Sequence, residues 1–190
     1  MGKVIAEITM SLDGYIAGTG ISSKQPMGTN GEKLHEWIFN KATEADKQWV
    51  DDLVKSSGAV ITGNQTYTVG IDDGWKGISP FDSPAFVLCH SLPQKLVEGF
   101  TYVTDGIHEA LKLAKETAAE RNVWVMGGAN TIQQYLKAKL VDELRIHIAP
   151  VLLVQGTRLF DNIGDDMIEL VKKSVTETPA VLHSVFTFEK

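Results

Sequence analysis

A single cysteine, Cys89, occurs in 190 residues. No disulfide can therefore close within the chain and no CxxC metal or redox pair exists, a usage that suits a reducing, cytoplasmic setting. On its own Cys89 reads as a small buried hydrophobe. A basic block is lacking as well: 18 Lys and Arg face 24 Asp and Glu spread along the chain, for a net charge of -6. Neutralising a phosphate backbone takes clustered cations, so nucleic acid is excluded as a partner. No apolar run approaches the length of a membrane span. The opening MGKVIAEITMSLDG is broken by Glu7 and reads as too short and too polar for a signal peptide, while Ala6 stands where myristoylation wants Ser or Thr. No membrane partner is expected. The sequon Asn64-Gln65-Thr66 is expected to stay unmodified without a secretory signal.

Familiar catalytic fingerprints are missing too. AGTGISSK supplies Gly18 and Gly20 but has Ser23 where a dinucleotide fingerprint needs its third glycine, and a loop rather than a helix follows. There is no P-loop, no GxSxG elbow and no HExxH. The histidines at 35, 90, 108, 147 and 183 are scattered without ligand spacing, so no metal site is expected.

What is present is an ordinary globular composition, 43% hydrophobic and 22% charged with no internal repeat, and one domain spanning 1–190 is expected. Residues 3–10 alternate as a strand. A long segment from about 18 to 40, ending in His35, Glu36 and Trp37, is a candidate lid by its length. Thr43 with Asp46 approximates a capping box, after which Ala45, Trp49, Val50, Leu53 and Val54 share a helical face as far as about Gly58. AVITG, AFVLC, FTYV and NVWVM read as strands, and helices are expected from about Asn64, over 107–119 and over 130–140. DELRIHIAP turns Leu144, Ile146 and Ile148 inward against Glu143, Arg145 and His147, and the tail closes as two antiparallel strands. Strands alternating with helices imply an α/β three-layer sandwich on a mixed, mostly parallel sheet with a C-terminal antiparallel hairpin. In such sheets ligands lie beyond the carboxyl ends of the strands where strand order reverses, so the loops after Met10, Ile61, Leu88 and Met126 are expected to converge.

Three strand-to-helix junctions combine bare backbone with hydroxyls: Gly63 to Thr66, Cys89 to Ser91, and Gly127 to Thr131. Singly, each is an ordinary turn. Two helix starts that pair glycine with a hydroxyl can together face a diphosphate.

MSLDGYIAG, TGNQTY, VLCHSLP and the long block VWVMGGANTIQQYLKAKLVDELRIHIAPVLLVQGTRLF occur in this order. Together they resemble the dihydrofolate reductase-like superfamily, in particular the branch that includes the reductase domain of riboflavin biosynthesis. The resemblance runs from about residue 3 to the C-terminus, and the last block is its most specific part. It implies an NADPH-dependent reductase of a small planar heterocycle, of pteridine or ribosylaminopyrimidine type, and a homodimer. By the same resemblance Gly127, Gly128, Ala129, Asn130 and Thr131 lie against the diphosphate and nicotinamide side. Gly63, Gln65 and Thr66 hold the other side of the diphosphate, and Cys89, His90 and Ser91 approach the adenosine ribose. Asp13 and Gly14 border the nicotinamide and substrate cleft, and Trp37 is a candidate wall for the heterocycle. Asp46 is the nearest match to the substrate-facing carboxylate of dihydrofolate reductases, with Glu44 and Asp13 behind it.

One departure bears on the cofactor. Relatives carry Arg directly after the glycine of TGxxTY, where it meets the 2′-phosphate, and this chain has Asn64. Loss of a charge-assisted hydrogen bond is worth about 1.5–3 kcal/mol, roughly ten- to a hundredfold in discrimination, which admits NADH beside NADPH unless His90, Ser91 or Lys95 compensates. The alternative reading is a nucleotide-binding homologue that kept the fold and lost the reaction.

Overall fold

Val4, Ala6, Ile8 and Met10 alternate with Ile5, Glu7, Thr9 and Ser11, and a period of two sends the two sets to opposite faces of a strand. In the computed structural model, which describes residues 2–188, this stretch forms β1 (Val4–Ser11). There follow β2 (Tyr15–Ala17), α1 (Glu36–Phe39), α2 (Glu44–Ser56), β3 (Ser57–Gly63), α3 (Asn64–Val69), β4 (Ala85–Leu88) and β5 (Phe100–Val103). The second half holds α4 (Ile107–Ala118), β6 (Asn122–Gly127), α5 (Ala129–Lys137), β7 (Glu143–Ala149), β8 (Thr157–Arg158), β9 (Leu170–Thr178) and β10 (Val181–Phe188). Eight strands form one sheet in the order β5-β4-β3-β6-β1-β7-β10-β9, while β2 and β8 pair separately. From β5 to β7 all neighbours are parallel; β10 and β9 return antiparallel as a hairpin. This is the mixed-sheet α/β sandwich expected from the sequence.

The face carrying Val4 and Ala6 is dry. Ile61, Val125 and Ile146 of the sheet meet Ala110 and Ala114 of α4 and Ile132 and Leu136 of α5 there. Small alanines on α4 let that helix lie close to the strands, and apolar burial at roughly 25 cal/mol per Å² supplies the main drive for the layer. The opposite face is covered by α1, α2 and a 3-10 turn at Gly31–His35, and it is polar.

Two expectations change on this second face. The capping box of α2 forms, with Asp46 Oδ2 accepting from Thr43 N at 2.7 Å. However, the helix turns Asp46 inward in place of Ala45, leaving Asp46 only 1% exposed. Asp46, Trp49, Val50 and Leu53 fall at i, i+3, i+4 and i+7, the spacing of a buried stripe, although its first member is charged. In β7, Glu143 and His147 are buried along with Leu144 and Ile146, because helices cover both faces of a parallel sheet. The segment 18–40 is packed down: Gly18 N donates to Met27 O, Thr29 N donates to Thr19 O, and Trp37 is buried.

From β3 the chain steps through β4 to β5 toward one edge, and from β6 it crosses β1 to β7 toward the other. Strand order therefore reverses between β3 and β6, which places a crevice above their carboxyl ends.

Candidate functional site

At that reversal lies a cleft of about 760 Å³. Its walls are the turns after β3, β4, β5 and β6, closed on one side by residues 156–162. Gly63, Gln65, Thr66, Cys89, His90, Ser91, Gly128, Ala129, Asn130 and Thr131 all line it, so the three glycine- and hydroxyl-bearing junctions do converge. Gly127 does not line it; that residue is buried beneath, at φ +125°, a conformation that favours glycine. The Gly127–Gly128 peptide is cis.

The β3 and β6 junctions interlock. A Cβ at Gly63 would stand 2.5 Å from Thr131 Oγ1, and a Cβ at Gly128 would stand 3.2 Å from Thr66 Oγ1. Each glycine thus makes room for the hydroxyl of the other junction. α5 starts with no side-chain cap, so the amides of its first turn point toward the cleft without a side-chain acceptor. A hydroxyl, a run of amides and a missing side chain at each junction form a cradle suited to a diphosphate.

The third junction differs. Cys89 is buried, its Sγ lies 3.7 Å from Val103 O, and burial pushes its thiol pKa up, so it contributes shape rather than a thiolate. His90 and Ser91 are exposed at the cleft wall. Beyond Asn64 and Ser91 the cleft adjoins a hollow of about 320 Å³ bordered by Tyr67, Asp72 and Lys95. Lys95 Nζ lies 3.9 Å from Asp72 Oδ1, with both groups about half exposed.

The loop after β1 does not line the cleft. Asp13 accepts from Ser11 Oγ at 2.6 Å, from Leu153 N at 3.1 Å and from Val154 N at 2.8 Å. The Ser11 hydroxyl foremost, with the backbone amides, holds its carboxyl below the usual aspartate range. Asp13 is thereby a clamp on residues 151–154, where Val154 sits at φ +69°. Asp13→Ala is expected to expose the Leu153 and Val154 amides, read as loss of their hydrogen-exchange protection while the amide of Ile132, bonded to Gly128 O, keeps its own. Gly14 does not line the cleft either; its carbonyl accepts at 3.0 Å from the amide of Leu159, the residue after the cleft-lining Arg158.

Asp46 and Trp37 lie away from the cleft as well. Asp46 Oδ1 meets His183 Nε2 at 2.9 Å, and Trp37 packs on the His147 ring at 4.6 Å while its Nε1 donates to Thr9 Oγ1. Burial would raise the Asp46 pKa, but hydrogen bonds from Thr43 and His183 hold it below the ordinary aspartate value. In this structure neither side chain has a surface to offer a substrate, a correction to the reading of both as cleft residues.

Sequence reasoning missed Arg158, Gln133 and Asp161. Arg158 lines the cleft with its guanidinium 4.6 Å over the Tyr15 ring, and Gln133 Nε2 donates to the carbonyls of Arg158 and Leu159, fixing that wall to α5. Asp161 is the cleft's carboxylate among the described residues. The segment GTRLFDN sits after Pro150 in the resembling block, but no local pattern distinguishes a wall residue from a connecting loop.

Residues 2–184 match the RibD C-terminal domain family. Two curated relatives come from Bacillus subtilis (strain 168). The uncharacterized protein YyaP is 34% identical over 171 residues, covering 85% of this chain and 81% of its own length. The uncharacterized protein YwjB is 25% identical over 168 residues, covering 86% of each. Among solved structures, a putative riboflavin biosynthesis protein from Shewanella sp. PV-4 superposes with a TM-score of 0.75 at 21% identity over 99% of both chains. RibD of Acinetobacter baumannii gives a TM-score of 0.66 at 18% identity, matching all of this chain and 59% of its own. With the fold shared across these structures and nearly the whole sequence matched, the chain belongs to the RibD C-terminal domain family, a branch of the dihydrofolate reductase-like fold.

Proposed function

We propose that this protein is a reductase that moves a hydride from a reduced nicotinamide dinucleotide, NADPH before NADH, to a small planar nitrogen heterocycle of pteridine or ribosylaminopyrimidine type. The observation that carries the reading is the interlocked cradle. Gly63 faces the Thr131 hydroxyl, Gly128 faces the Thr66 hydroxyl, and uncapped α5 amides lie above the strand reversal. Family membership supports it, since RibD-type reductases are oxidoreductases that use NADPH in general.

In this reading Thr66, Thr131 and the α5 amides hold the diphosphate, Gln65 and Asn130 flank it, and His90 and Ser91 lead to the adenosine. The nicotinamide supplies the hydride when bound; the protein's part is placement and exclusion of water. Asp46 and Asp13 are both engaged elsewhere, so a proton for the substrate comes through the Asp161 side of the cleft or from water. A cytoplasmic homodimer completes the proposal. Leu12, Leu152 and Val154 are each at least 65% exposed on neighbouring loops joined by the Leu12 N to Val151 O bond, which gives one apolar face for such a contact.

Titration of purified protein with NADPH and with NADH, followed by loss of reduced-nicotinamide absorbance with pterins, folates and aminopyrimidines, tests the reading. Failure to bind either dinucleotide would sink it. Binding without turnover on any of these substrates would favour the non-catalytic homologue, a second reading supported by the sequestered carboxylates. Cofactor choice has its own test. With Asn64 in place of Arg, Lys95 is the cation facing the adjoining hollow, so Lys95→Ala is expected to weaken NADPH roughly five- to tenfold and leave NADH unchanged, measured as Kd.

A further inference from the structure

On the polar face of the sheet, away from the cleft, side chains from four elements form one buried hydrogen-bonded row. Glu7 Oε1 on β1 meets His147 Nε2 on β7 at 2.9 Å. His147 Nδ1 meets His183 Nδ1 on β10 at 2.7 Å, and His183 Nε2 meets Asp46 Oδ1 on α2 at 2.9 Å. All four residues are 5% exposed or less. Trp37 packs on His147, and Trp49 stacks on His183 with 4.7 Å between ring centres.

Each of the three contacts needs one proton between its two heavy atoms. Ionised carboxylates only accept, so Glu7 and Asp46 require hydrogen on both Nε2 atoms. The Nδ1 to Nδ1 contact requires a third hydrogen, and two neutral imidazoles carry only two between them. The surroundings decide where the extra proton resides. Arg145 Nη1 lies 3.4 Å from Glu7 Oε2 and Trp49 Nε1 donates to Glu7 Oε1, while Thr43 donates to Asp46 Oδ2 through both its amide and its hydroxyl. The oxygens of both carboxylates are therefore already engaged as acceptors, and the extra proton belongs to the rings.

We propose that His147 and His183 share one trapped proton, a single imidazolium divided between two rings, which latches α2 and the α1 segment onto the β1-β7-β10 face of the sheet. A second added proton would set N–H against N–H, and removal of the shared one would set lone pair against lone pair at the same short distance. The state with one extra proton is thus favoured on both sides, and the two rings hold it jointly. Burial foremost, opposed by Asp46 and assisted by the His147 charge, holds the His183 pKa below the ordinary histidine value, which disfavours a second imidazolium on the pair. The other charged or titratable groups facing the row are Arg145 and Glu143 on β7 and His35 in the 3-10 turn. Burial pushes the His35 pKa down to about 4, so that ring stays neutral.

NMR of the intact protein with isotope-labelled histidine ring nitrogens tests the proposal. At neutral pH three of the four ring nitrogens of His147 and His183 should carry hydrogen, with the bridging proton strongly deshielded. Wherever the bridging signal is lost, the loss should coincide with a change in Trp37 and Trp49 fluorescence, since both rings pack on the pair. His183→Gln, which removes one ring, should abolish the deshielded signal. Finding two or four hydrogens on the pair at neutral pH overturns the proposal, and the wild-type spectrum alone decides it if the variant does not fold.

Discussion

Gly128→Val is expected to leave the protein folded and to weaken NADPH binding by roughly a hundredfold or more. Gly128 has φ -73°, a value open to any residue, and its added Cβ would meet only the Thr66 hydroxyl at 3.2 Å. A threonine side chain can give by the few tenths of an ångström this requires. The branched side chain would nonetheless stand in the cleft, in front of the α5 amides. Two charge-assisted hydrogen bonds to a diphosphate at about 1.5–3 kcal/mol each then give a loss of that size or larger. Gly63→Val is the informative contrast. There the Cβ would come within 2.5 Å of Thr131 Oγ1, a side chain only 4% exposed with little room to turn. That substitution should lower thermal stability as well as binding. Dye-free calorimetric titration with NADPH, beside thermal unfolding of both variants, separates the two effects. Undiminished affinity in a folded Gly128→Val protein would show that the glycines serve only the turn.

The cleft was legible in the sequence because its chemistry is local. Glycine, asparagine and threonine clustered at strand ends leave backbone exposed wherever the strands are placed, and the order of strands brings those ends together. The C-terminal hairpin and the helical layers follow from periodicity in the same direct way. The polar face was not legible. His147 and His183 stand 36 residues apart on strands that pair antiparallel and directly opposite one another, so their meeting is a matter of register. Alternation in DELRIHIAP separates the two sides of β7 but does not reveal that helices cover the polar one as well. The direction of Asp46 is hidden for a related reason. A carboxylate in the first turn of a helix is favoured by the helix dipole whether it faces water or core, so only the histidine opposite reveals its direction.

Asp46→Ala is expected to destabilise the fold by about 3–5 kcal/mol while leaving the NADPH affinity of the remaining folded protein unchanged. The cost follows from what is left behind: a buried His183 whose Nε2 hydrogen and share of positive charge lose their partner, together with a vacated helix cap. Asp46 has a folded-state pKa below its unfolded value, so its contribution is fully present at neutral pH and is lost as the pH falls through that depressed value. Wild-type stability should therefore decline on acidification, and the decline should be shallower in Asp46→Ala, which has already lost the group. Urea unfolding across pH should show this loss on the acid side. Replacing both ends, Asp46→Ala with His183→Leu, should cost less than the sum of the single changes, because apolar substitution of both members removes the stranded charge. Strict additivity would mean that the two residues touch without depending on one another. A loss of NADPH affinity in folded Asp46→Ala protein would instead tie this residue to the cleft, from which the structure separates it.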